Sequence, residues 1–230
     1  MKLIVISDTH GMHRKVKNIP DGDVLIHCGD FSNVGEKDQI IDFIEWFASF
    51  QHKHKIFIAG NHDKSFDPKY WQSPSDKLWK EDTLDYVKIK GLAYLENSET
   101  IIDGIKFWGS PITPNFWEQY WAFNAARGET IKRYWDLIPK DTDVLITHGP
   151  PRHRKDWVIN GGVSVGCEEL DKRISEVNPI FNFFGHIHES YGIEEEVNTT
   201  FANASLLDED YRLVNKPLEF KIYNDESALR

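Results

Sequence analysis

The chain has 230 residues, 37 acidic against 27 basic, for a formal charge of −10. That balance repels phosphate backbones and disfavours binding to long nucleic acid. Two cysteines make no disulfide framework and fit a reducing compartment, and no run reaches the roughly 18 apolar residues of a membrane span.

The first apolar run, KLIVIS (2–7), reads as a strand, and the opening turns polar straight after it, so no secretory leader is expected. DVLIHC (23–28) reads as a second strand. EKDQIIDFIEWFASF (36–50) follows. Its Ile40, Ile41, Phe43, Ile44 and Phe47 fall near a 3.6-residue period, which predicts an amphipathic helix. KIFIAG (55–60) is a third strand, and the Pro-punctuated 64–82 reads as a long surface loop. IKFWGS (105–110), DVLITH (143–148) and IFNFF (180–184) continue the strands, with helices expected at about 125–136 and 167–177, the latter stopped by Pro179. From 191 onward TTFANAS (199–205) and LEFKIY (218–223) suggest a β-meander in a second, mixed sheet. Strands alternating with helices point to α/β architecture. With no repeat, linker or low-complexity tract, residues 1–230 are expected to form one domain, soluble and cytoplasmic.

Five of these runs end alike. Asp8-Thr9-His10, Gly29-Asp30, Gly60-Asn61-His62-Asp63, His148-Gly149 and Gly185-His186-Ile187-His188 each follow an apolar stretch. Ligands of open α/β sheets gather beyond the carboxyl ends of the strands. Asp8 and His10, like His186 and His188, are two residues apart, so in extended chain each pair points one way. Asp8, His10, Asp30, Asn61, His148, His186 and His188 exceed what one ion takes. They suit two ions sharing a carboxylate, with Asp30 the natural bridge. Mixed imidazole, carboxylate and amide donors suit Mn, Fe, Zn or Ni better than Mg or Ca. Two such ions activate a water between them and clamp an in-line displacement at phosphorus. The nucleophile expected from the spacing is that bridging hydroxide. His62 is placed to protonate the leaving oxygen, with Asp63 keeping the imidazole oriented and protonated.

The ordered set DTH, GD, GNHD, THGPP and GHIH, with GDVLIHCGDFSNVGE, FWGSPITP and AFNAARGE, resembles the calcineurin-like metallophosphoesterase superfamily, over about residues 3–222. It is most similar to the metallophosphoesterase-domain-containing subgroup, related to class III cyclic nucleotide phosphodiesterases. The resemblance implies a four-layer αββα sandwich, two mixed sheets flanked by helices. It implies Asp8, His10, Asp30 and His188 on one metal, and Asp30, Asn61, His148 and His186 on a second, Mn or Fe favoured. Superfamily protein phosphatases continue Asp-Arg-Gly after the bridging aspartate. Here FSNVGE follows Asp30, which points toward small diesters or nucleotides, cyclic nucleotides included.

The stretch EQYWAFNAARGE (118–129) fits equally a packed helix start or a cap, in which Trp121 or Phe123 stacks on a base while Asn124 and Arg127 join Asn61 and His62 in touching substrate. PPRHRKD (150–156) is expected as a solvated loop, as are His52 and His54 near a helix end, while His27, Cys28 and Cys167 are expected to pack. Two other functions stay open on sequence alone: a phosphomonoesterase acting on nucleotides or small phosphates, and a nucleotide-binding regulatory protein of low activity. The chain gives no oligomeric state and names no physiological substrate.

Overall fold

A computed structural model describes residues 1–116, 120–159 and 161–223. In chain order the strands are β1 (Lys2–Ile6), β2 (Val24–His27), β3 (His54–Phe57), β4 (Ala93–Tyr94), β5 (Ser98–Ile102), β6 (Ile105–Ser110), β7 (Thr113–Pro114), β8 (Asn124–Ala125), β9 (Val144–Thr147), β10 (Trp157–Val158), β11 (Val163–Ser164), β12 (Phe181–Phe184), β13 (Gly192–Glu195), β14 (Thr200–Asn203) and β15 (Leu218–Lys221). The α-helices are α1 (Lys37–Ala48), α2 (Pro74–Ile89), α3 (Glu129–Trp135) and α4 (Glu168–Val177).

The first sheet runs β15-β1-β2-β3-β4 and the second β13-β14-β12-β9-β6-β5. Each is parallel in its centre, with antiparallel pairs at edges: β15 on β1, β13 on β14, and β5 on β6. Central parallel strands buried on both faces need continuous apolar sequence, and VLIH, VLIT and FNFF supply it. Alternate side chains divide the work. Leu3, Val5, Val24, Ile26 and Ile56 meet Phe107, Val144, Ile146, Phe183 and Ala202 between the sheets. Ile4, Ile6, Leu25 and Phe57 face outward with the apolar side of α1, while Trp108, Leu145, Phe184 and Phe201 face outward with Ile131, Trp135, Leu170 and Ile174 of α3 and α4. The result is the four-layer αββα sandwich.

Local signals explain the helix ends. In α4, acidic Glu168, Glu169 and Asp171 sit in the first turn, where the backbone dipole favours negative charge. Asn178 closes it in a left-handed conformation, φ 52°. The expected loop 64–82 is corrected: α2 begins at Pro74, with Ser73 and Asp76 in a reciprocal capping box. Proline there starts a helix, because the first turn has no partner for the N–H it lacks. The expected meander is also corrected. The tail is split, β13 and β14 completing the second sheet and β15 closing the first beside β1. His52 is buried rather than solvated, its Nε2 3.0 Å from the Pro20 carbonyl.

Where β1 and β14 end, Ser7 and Ser205 form a parallel bridge, and Leu206 N–H donates to the Ser7 carbonyl at 3.0 Å. This ties the two sheets together at their carboxyl ends. No helix among the described residues is long and apolar enough to cross a membrane.

Phe43 is fully buried, stacked on Phe31 and Phe47 at centroid distances of 4.4 and 5.3 Å. Phe43→Ala should cost about 3–5 kcal/mol, read from the denaturant midpoint. A loss below 1 kcal/mol would mean that α1 is not fastened to the first sheet through this ring.

Candidate metal centre

All five expected strand ends converge at one place. The chain reaches it by turns that ordinary residues avoid: Asp8 (φ 53°), His10 (φ 40°), Asp30 (φ 56°) and His186 (φ 68°) are all left-handed. Each such non-glycine residue costs on the order of 1–3 kcal/mol and persists only where its surroundings hold it. Here they do. Asp8 N–H donates to the Gly29 carbonyl, His10 N–H to the Asp30 carbonyl and Gly185 N–H to the His148 carbonyl, each at 3.0 Å. The glycines allow the close approach. A Cβ on Gly60 would lie 2.2 Å from Asp30 Oδ1, and one on Gly185 would lie 2.0 Å from Asp8 Oδ2.

Asp30 occupies the middle. Its Oδ1 accepts from the His62 N–H at 2.8 Å. Its Oδ2 lies 3.3 Å from His148 Nε2, 3.7 Å from His10 Nε2 and 4.0 Å from His62 Nε2. On one side, Asp8 Oδ1 is 3.5 Å from His188 Nε2, which is 3.3 Å from His10 Nε2. On the other, Asn61 Oδ1 is 2.9 Å from His148 Nε2, and the His148 and His186 rings are 5.0 Å apart. Two further carbonyls set the rings: His148 Nδ1 donates to Cys28 at 2.9 Å and His188 Nδ1 to Asp208 at 3.0 Å. Each leaves Nε2 facing inward, the arrangement that metal-ligating imidazoles use.

Burial alone would raise the two aspartates. The His188 imidazole overcomes it at Asp8, and His148 with His62 at Asp30, holding both carboxyls below the ordinary carboxylate range. Burial would lower His148, but Asp30 pushes it up to about 9. Burial lowers His10 to about 4 and His186 to about 3. Anionic carboxylates and neutral imidazoles are the forms that bind metal, so Asp8, Asp30, His10 and His186 are in that form, while an ion would displace the proton that Asp30 keeps on His148. Three triads have donor atoms within 4.8 Å of one another: Asp8, His10 and His188; His10, Asp30 and His62; Asp30, His148 and His186. The donor chemistry and the glycine-lined approach to both carboxylates fit divalent metal ions.

The neighbours of His62 differ from expectation. Asp63 does not touch its ring. The following 3-10 turn carries the Asp63 carboxylate inward, where it accepts from Ser32 N–H at 2.9 Å, Ser32 Oγ at 2.6 Å and Gly60 N–H at 2.8 Å. Burial, with Asp30 adding, pushes it up to about 7. The orienting partner of His62 is the Asn33 carbonyl, which accepts from Nδ1. Trp121 stacks on the other part of this ring, centroids 4.0 Å apart at 27°.

Three other residues expected at the substrate have partners within the fold. Asn124 donates to Thr113 Oγ1 at 2.6 Å and to the Ala122 carbonyl at 3.2 Å, bracing β7 against β8. Phe123 is buried in the core, so its ring cannot stack on a base. Arg127 borders the cavity, but its guanidinium is held by Glu168 and by the carbonyls of Val165 and Gly166. Residues 118 and 119 of the expected cap lie outside the described residues.

Beside the array opens a cavity of about 400 Å³, walled by Pro114, Phe116, Trp121, Val165, Ile187 and Tyr211. Phe116 and Tyr211 are missed from sequence. Neither has a period to mark it: Phe116 is one aromatic residue among several in PNFWEQYW, and Tyr211 stands alone in a polar turn. The carbonyls of Asn33, Cys28 and Asp208 are invisible for a different reason, since every residue has one.

The calcineurin-like phosphoesterase family model matches residues 1–190. Human metallophosphoesterase domain-containing protein 1 is 38% identical over 229 residues, covering 94% of this chain and 69% of that protein. Among solved structures, TT1561 of Thermus thermophilus superposes with a TM-score of 0.61 at 16% identity, over 88% of each chain. Phosphopantetheinyl hydrolase from Mycobacterium tuberculosis gives 0.59 at 15%, over 89% of this chain and 88% of that one. At those identities the two structures speak for the fold alone.

Asp63→Ala should destabilise the protein by roughly 1–3 kcal/mol, because buried donors of Ser32 and Gly60 lose their acceptor. Urea unfolding measures it. Unchanged stability with activity lost would instead return Asp63 to a role beside His62.

Proposed function

The chain belongs to the calcineurin-like phosphoesterase family, and on that premise we propose that it hydrolyses a phosphodiester, nucleotide-like and with cyclic nucleotides included, at a centre for two divalent ions. The observation that carries this is the sharing of Asp30 Oδ2 between the two imidazole groups on either side of it. Asp8, His10, Asp30 and His188 would hold one ion, and Asp30, Asn61, His148 and His186 the other; the donor set suits Mn, Fe, Zn or Ni, of which the family resemblance favours Mn or Fe. When bound, the ions supply Lewis acidity toward the phosphoryl group and toward the attacking water.

The remaining chemistry belongs to the chain's own residues. The Asn33 carbonyl binds the Nδ1 proton of His62, so Nε2 is the nitrogen that exchanges a proton with the cavity. Trp121 fixes the plane of the ring, and Ala122 N–H on the Asn61 carbonyl at 3.0 Å fastens that loop to the His62 turn. His62 Nε2 thereby protonates the departing ester oxygen as the bond to phosphorus breaks.

The diester preference rests on the wall. It is mostly apolar, and its one guanidinium among the described residues, Arg127, is already matched by Glu168. A monoester brings a second negative charge that this wall does not neutralise. A diester brings one charge and an uncharged substituent that apolar surface can cover.

With Mn²⁺ restored to stripped protein, bis(p-nitrophenyl) phosphate should be hydrolysed well above p-nitrophenyl phosphate. The reverse order would make the chain a phosphomonoesterase, and silence on both with two ions bound would leave a binding protein. Asp30→Ala should abolish turnover and cut bound metal below two per chain. His62→Ala should lower the rate by roughly 10²–10⁴ with metal content kept, and by less as the leaving group improves. An equal penalty for good and poor leaving groups would remove the proton-donor role.

A further inference from the structure

Two exposed rings stand on opposite halves of the array. Phe116, 49% exposed, lies 5.1 Å from the His186 ring. Tyr211, 50% exposed, lies 5.0 Å from both His10 and His188. Both border the same cavity, and neither belongs to a core cluster.

Tyr211 is held there at a cost. Its φ is 58°, a conformation that glycine adopts freely and a tyrosine does not. The turn around it is firmly built: Tyr211 N–H donates to the Asp208 carbonyl at 2.9 Å, Arg212 N–H to Asp208 Oδ1 at 2.8 Å, and the Arg212 guanidinium pairs with Asp208 at 2.7 Å. The Asp208 carbonyl also receives His188 Nδ1. One turn thus sets an imidazole of the array and hangs an aromatic ring over it. A strained, half-exposed aromatic residue that adds nothing to the core is an outlier of the kind that marks function.

We propose that Phe116 and Tyr211 are specificity-determining residues that grip the two ester substituents of an open phosphodiester, one planar group on each ring. The proposal rests on the diester reading above and narrows it. Substituents diverge from a tetrahedral phosphorus, so with the phosphoryl group near Asp30 the two groups cannot share one ring, and each ring is left for one of them. A monoester engages one ring. A cyclic diester folds both ester oxygens into one substituent and also engages one. Open diesters carrying two flat groups, such as nucleosides or aryl groups, use both.

The test compares wild type, Phe116→Ala and Tyr211→Ala, all Mn²⁺-loaded, on bis(p-nitrophenyl) phosphate and methyl p-nitrophenyl phosphate. Each variant should lose about 5- to 10-fold in kcat/KM on the bis-aryl ester, mostly through KM. On the methyl ester, which presents one ring, only one of the two variants should lose. Calorimetric binding of diphenyl phosphate should weaken in both variants. Tyr211→Gly should melt no lower than wild type while matching Tyr211→Ala in its losses, since glycine relieves the turn. Wild-type rates in both variants on the bis-aryl ester would overturn the proposal. So would losses in both variants on the methyl ester, or a Tyr211→Gly melting several degrees lower, each of which marks a structural role. If wild type hydrolyses no diester at all, the diester reading fails, and diphenyl phosphate binding decides: weakened in both variants it keeps the two-ring site, unchanged it removes it.

Discussion

The carboxylate of Asp30 is the point on which the other parts depend. One oxygen is taken by the His62 amide, and the other is left within 4.0 Å of three imidazole nitrogens. That division needs Asp30 in a left-handed turn and a glycine at 60, where any side chain would strike the carboxylate. It also needs the loops after β2 and β3 to stay in register with each other. Asp63 does this from below, joining Ser32 to Gly60 in a buried network. A residue that looks catalytic in sequence thus holds the floor under the carboxylate at the middle of the array.

The sandwich serves this arrangement by bringing five strand ends to a common edge. Parallel strands share a direction, so their carboxyl ends fall together. The Ser7–Ser205 bridge stops the two sheets from sliding at that edge. Inside the array His188 faces Asp8 at 3.5 Å and His148 faces Asp30 at 3.3 Å. The wall beside it is apolar and its guanidinium is spoken for. The titratable groups are therefore concentrated in the array, and the wall beside it offers mainly shape.

The residues that the structure gathers were largely legible in sequence, because their pattern is local: an apolar run, a glycine, then Asp, His or Asn. The central strands and α1 were legible for the same reason, each having its own period. What escaped was non-local or backbone-borne. The start of α2 hid behind Pro74, which punctuates a loop and opens a helix equally well until its capping partner Asp76 is weighed. β15 is an ordinary alternating strand, and nothing in LEFK says that its partner lies at the other end of the chain. Asp63 sits beside His62 in sequence, yet the turn sends the two side chains apart. Asn124 and Arg127 carry the right chemistry for phosphate, but the Asn124 amide nitrogen and both terminal nitrogens of Arg127 already donate within the fold.

The placement of β15 bears on how the protein is made. β1 is flanked on one side by β2 and on the other by β15, residues 218–221. During synthesis β1 and β2 precede β15, and one edge of β1 keeps its N–H and C=O groups unpaired while nearly two hundred further residues are translated. An open apolar edge is a template for pairing with another chain. The turn that seats His188 is also late, since Asp208 follows every strand except β15. A nascent chain therefore holds most of the aspartates and histidines before it can arrange them, and its first strand keeps an open edge for most of that interval.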